Sequence, residues 1–90
     1  MITINSAIKK RGIIMAELNI SLNTIEKVKG FVNAVSSLDG DYDLSSDRYV
    51  VDAKSIMGIF SLDLGKVLKL IIRDDSLLDA AKAKLADYIV

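Results

Sequence analysis

The stretch "VVDAKSIMGIFSLDLG", residues 50 to 65, decides how this 90-residue chain is read. Its opening Val50-Val51-Asp52-Ala53 ends a segment of strand character. Lys54 and Ser55 break that pattern. Ile56, Met57, Ile59, Phe60 and Leu62 then crowd into two turns, which predicts a helix over 55–62 stopped near Leu64 and Gly65. Ile59 and Leu62, three apart, are the core candidates, while Ile56, Met57 and Phe60 occupy a neighbouring face. A helix that is apolar around most of its circumference is buried on every side or meets a partner. A domain of this size has little material to cover a second face, so part of the set Ile56, Met57 and Phe60 is expected at the surface.

Upstream, "ELNISL" alternates with Leu18, Ile20 and Leu22 on one side and predicts a half-buried strand. "NTIEKVKGFVNAVSSL" switches to helical spacing at Ile25, Val28, Phe31, Val32 and Val35. Asn23 followed by Glu26 resembles a capping box at its start. Gly30 inside this helix costs about 1 kcal/mol relative to Ala. "YDLSS" and "RYVVDA" predict a hairpin turning near Ser46-Asp47. Downstream, "KVLKLIIRD" is dense in β-branched residues and predicts the strongest strand. Ser76 and Asp79 mark the start of a last helix whose buried stripe is Leu78, Ala81, Leu85 and Tyr88. The resulting order is β-α-β-β-α-β-α in one domain over 15–90. Residues 1–14 carry Lys9, Lys10 and Arg11 without an acidic residue. They are expected to be an extension of the domain, either lengthening the first strand or forming an arm, with Met15 as an alternative start.

Composition narrows the functions. Twelve basic residues balance twelve acidic ones, and the few aromatics are not interleaved with Lys or Arg, so nucleic-acid binding is not expected. The apolar runs are too short to cross a bilayer, and Glu17 interrupts any signal-like region, so a cytoplasmic, non-membrane protein is expected. There is no Cys and no His. That removes a thiolate nucleophile, the commonest general base and any phosphohistidine, and the chain is expected not to be an enzyme. Asp39, Asp41, Asp43, Asp74 and Asp75 lack the spacing of a calcium loop and read as turns and caps, so neither metal nor cofactor is expected.

The element order admits an open-faced sandwich or a ferredoxin-like relative. The residues discriminate. Ala53-Lys54-Ser55-Ile56-Met57-Gly58, with Ser61-Leu62 following, resembles the segment around the regulatory serine of HPr, the phosphocarrier of the bacterial sugar phosphotransferase system. The resemblance runs from about Glu17 to Tyr88. It implies an α+β, HPr-like open-faced β-sandwich: a four-stranded antiparallel sheet with three helices on one face. It also implies a protein that works by docking to others, with Lys54, Ile56, Met57 and Phe60 in the matching patch. The candidate partners are an HPr kinase/phosphorylase and a catabolite-control repressor.

One departure stands out. Where HPr carries its phosphoacceptor His and the Arg that steadies the phosphoryl group, this chain reads "LNTIEKV", with Thr24 and Glu26 in those places. A carboxylate repels the group that a guanidinium holds. A threonine ester is too stable to pass its phosphoryl group onward, and a local cap is the simpler use of Thr24. Ser55 has two uses open to it. It is an N-cap, a contribution of about 1 kcal/mol, or the site of regulatory phosphorylation that the resemblance implies, with Lys54 beside the added charge. Two other functions remain as alternatives: a phosphotransferase-system component using a different acceptor, and a small-molecule-binding module of ferredoxin-like type.

Overall fold

The computed structural model describes residues 15–90; the N-terminal extension expected over 1–14 lies outside the described residues. Strand β1 (Ala16–Ile20) leads to helix α1 (Ile25–Ser36), then to the hairpin β2 (Tyr42–Ser46) and β3 (Tyr49–Asp52). Helix α2 (Ile56–Phe60) and strand β4 (Leu68–Ile72) follow. A 3-10 turn at Asp75–Leu77, helix α3 (Leu78–Lys84) and a second 3-10 turn at Ala86–Tyr88 close the chain.

The four strands form one sheet in the order β1-β4-β2-β3, with every neighbouring pair antiparallel. Register follows from the period-2 pattern, because a slip of one residue would turn every side chain to the wrong face. Leu18, Leu70, Leu44 and Val51 stand in one row across all four strands, and Ala16, Ile72 and Tyr42 in the next. These rows face the helices. Val28, Phe31 and Val35 of α1, Ile59 of α2, and Ala81 and Leu85 at the last helix are fully buried against them. The opposite sheet face carries Glu17, Asn19, Lys69, Asp43 and Ser45, crossed by the Lys69–Glu17 and Arg73–Asp43 ion pairs. That face, mostly polar but with Ile71 and Val50 on it, is the open side of the sandwich.

The structure corrects several local expectations. The capping box read at Asn23 gives way to Thr24, whose expected use as a local cap the structure shows: it takes the extended conformation (φ −137°, ψ 158°), and its Oγ1 accepts from the Lys27 N–H at 3.1 Å. Ile25, which falls at the helical spacing, is 58% exposed, and the buried residues of α1 are Val28, Phe31 and Val35. The start marked by Ser76 and Asp79 resolves into two pieces: Asp74 caps the 3-10 turn at Asp75–Leu77 by accepting from the Ser76 N–H, and α3 follows from Leu78 without a side-chain cap. Helix α2 is shorter than 55–62 and ends at Phe60, with the Ser61 hydroxyl donating to the Gly58 carbonyl at 2.6 Å. Gly30 has a specific use: a Cβ there would overlap the Tyr88 hydroxyl. The Tyr88 ring in turn packs edge-on against Phe31, 5.8 Å between centroids.

Candidate functional site

The segment from Asp52 to Ser61 positions the candidate site. Its entry is a turn built on Asp52, whose Oδ1 accepts from the Lys54 N–H at 2.8 Å and whose carbonyl accepts from the Ser55 N–H at 3.0 Å. The chain is also pinned to the hairpin by the Ala53 N–H, which donates to the Tyr42 carbonyl at 2.9 Å.

Ser55 is the N-cap of α2. Its side-chain oxygen accepts from the Gly58 N–H at 3.2 Å, and its carbonyl accepts from the Ile59 N–H at 3.0 Å. Gly58 is constrained by the same packing: a Cβ on it would lie 3.1 Å from the Val51 Cβ and 3.3 Å from Ser55 Oγ. Such distances are tighter than ordinary van der Waals contact. The glycine therefore lets the helix settle onto β3 with the serine at its end.

The two faces of α2 separate cleanly. Ile59 is fully buried and Leu62, just beyond the helix, nearly so. Ile56 is partly buried against the core. Met57 is 77% exposed and Phe60 44% exposed. With the core face of α2 already filled by Ile59, Met57 and Phe60 form an exposed apolar pair on its other side. Tyr49 and Val50 on the edge strand β3 are also exposed, a feature that sequence alternation alone does not single out.

Lys54 is adjacent to Ser55 in sequence, but its ammonium turns away from the helix it precedes. Nζ donates to the carbonyls of Leu38 (2.8 Å) and Gly40 (3.1 Å), beyond the C-terminal end of α1. It lies 5.5 Å from the centre of the Tyr42 ring. The Tyr42 hydroxyl donates to the Asp39 carbonyl at 2.6 Å. Burial, and after it the Asp39 and Asp74 carboxylates, push the Tyr42 phenol above its ordinary pKa. Thr24 belongs to the opposite end of α1, whose 12 residues span about 18 Å. The structure therefore gathers Ser55, Ile56, Met57 and Phe60 on one element, and leaves Thr24 and the Lys54 ammonium at different ends of another.

An open depression of about 270 Å³ is lined by Gly40, Asp41, Tyr42, Asp43, Asp52, Lys54 and Arg73. Its lining is mostly charged, unlike the apolar clefts that hold small organic ligands. Arg73 there is bound to Asp43, with Nε donating at 2.9 Å, and this bond raises the guanidinium pKa. No group of three or more His, Cys, Asp or Glu among the described residues is placed to hold a metal ion. No helix among them is long and apolar enough to cross a membrane.

No protein-family model matches the chain, and no curated protein matches it. Among solved structures, it is similar to the crystal structure of a phosphocarrier protein HPr from Bacillus anthracis str. Ames, with a TM-score of 0.67 and 25% identity. The match covers 84% of this chain and 96% of that one.

Proposed function

We propose that this chain, whose fold is the HPr-like open-faced sandwich, is a regulatory adaptor that binds partner proteins through α2 and does not carry phosphate on a histidine. The observation behind the proposal is the exposure of Met57 and Phe60 on a helix that starts at Ser55 and buries Ile59 beneath them. The methionine thioether adapts to differently shaped partners, and the phenylalanine supplies a rigid anchor. The resemblance around Ser55 names the partner classes: an HPr kinase/phosphorylase, and a catabolite-control repressor that reads the serine-phosphorylated form.

The switch acts at Ser55 Oγ. A kinase transfers the γ-phosphoryl group of ATP to that oxygen; the bond from phosphorus to the ADP oxygen breaks, and the hydroxyl proton passes to a base supplied by the kinase. The ester adds a charge of roughly −1.5 to −2 beside Met57 and Phe60. Desolvating that charge weakens an apolar complex and favours a partner bearing Arg. The Lys54 ammonium donates to the carbonyls of Leu38 and Gly40, so those bonds compete with any direct contact to the new phosphate. Thr24 acts as a helix cap, and the phosphocarrier role goes unfilled.

Titration calorimetry against an HPr kinase/phosphorylase tests the docking face. Binding is expected for the wild type, and should weaken by about tenfold or more in the Met57→Ala/Phe60→Ala double variant, as for anchor residues of an interface. Equal affinity for both would remove α2 as the docking element. Absence of wild-type binding would remove this partner.

A further inference from the structure

Helix α2 has five residues, too few to hold its shape by backbone hydrogen bonding alone. Of these five, Ile59 is fully buried. The placement of α2 therefore depends on what secures its ends. Ser55 secures the first turn internally. The residue before it reaches across to another element.

Three successive carbonyls in the loop that leaves α1 are each taken by a side chain: Leu38 and Gly40 by the Lys54 ammonium, and Asp39 by the Tyr42 hydroxyl. Among the described residues, Lys66 and Lys69 make ion pairs with surface carboxylates, whereas Lys54 donates to the main chain. Hydrogen bonds from a charged donor to carbonyl oxygens are stronger than neutral ones and are less sensitive to salt when partly buried. On its other side, the turn is tied to the sheet by the Ala53 N–H and within itself by Asp52. The segment entering α2 is thus fixed from two directions, by backbone toward the sheet and by one ammonium toward α1.

We infer that Lys54 is the positioning residue of the Ser55 helix: its ammonium clamps the Asp52–Ser55 turn to the loop leaving α1 and so sets how Ser55, Met57 and Phe60 are presented. Loss of that charge frees α2 locally and leaves the sheet folded. The consequence for partners rests on the docking role proposed for α2; the clamp itself does not.

Amide hydrogen exchange, measured by NMR on the full chain without any partner, tests this. Wild type is compared with Lys54→Met, which keeps the aliphatic stem, and with Lys82→Met, an exposed lysine on α3. In Lys54→Met the Ile59 and Leu62 amides, bonded to the carbonyls of Ser55 and Ile59, should exchange about tenfold faster, while β2 and β4 amides change far less. Lys82→Met should match wild type throughout. If Ile59 and Leu62 keep their wild-type rates, or speed up only in step with β2 and β4, Lys54 is not a local clamp. A chain that binds no kinase yet shows this selective release loses the docking role and keeps the clamp.

Discussion

Replacing Ser55 by Ala tests how the hydroxyl and the helix depend on one another. The variant removes the acceptor for the Gly58 N–H, a bond of 3.2 Å in a part-buried setting. Loss of a serine N-cap costs about 0.5–2 kcal/mol, and the length of this bond places the expected value near 1 kcal/mol. The Ile59 N–H keeps its bond to the Ser55 carbonyl, so the helix is weakened at its first turn only. In a domain of this size 1 kcal/mol corresponds to a drop in Tm of roughly 4–8 °C. Urea unfolding followed by circular dichroism should show a lower midpoint with an unchanged slope. Ser55→Asp keeps an oxygen acceptor and places negative charge at the helix start, so it should unfold close to wild type. A Ser55→Ala variant as stable as wild type, or a Ser55→Asp variant as weak as Ser55→Ala, would refute the cap as the structural use of this side chain.

Two further outcomes follow from packing and titration. Ile59→Ala should cost about 2–5 kcal/mol because the residue is fully buried, while Met57→Ala stays within about 0.5 kcal/mol; the same unfolding assay reads both. The Tyr42 phenol is raised in the folded state, so above its unfolded pKa of about 10 the folded chain holds a proton that the unfolded chain loses. Stability therefore falls as pH rises from about 10 toward the raised folded value, and Tyr42→Phe should remove this part of the slope in urea midpoints collected across that range.

Much of the fold was legible because the sequence switches cleanly between periods. Leu18 and Ile20 alternate; Val28, Phe31 and Val35 repeat at helical spacing; Ile59 and Leu62 take the buried side of the quoted stretch. Element starts were less legible. Asn23 and Thr24 are both good caps, and the backbone angles at Thr24 decide between them. The same ambiguity separates Asp74 from Ser76. Ile25 fits the helical spacing yet is exposed, since periodicity describes a side of a helix and not which of its turns is covered.

At the candidate site, the exposure of Met57 and Phe60 could be argued from the shortage of covering material. The engagement of Lys54 could not. Its acceptors are main-chain oxygens 16 and 14 residues earlier, and carbonyl groups carry no sequence signal. The Tyr42 hydroxyl has no sequence signal for the same reason: its partner is another main-chain carbonyl, that of Asp39.

The most direct measurement of the central claim is the intact mass of the chain after incubation with ATP and an HPr kinase, on wild type and Ser55→Ala. The account predicts one added phosphate on wild type and none on the variant. An unmodified wild type, or a phosphate that persists in Ser55→Ala, would contradict Ser55 as the switch.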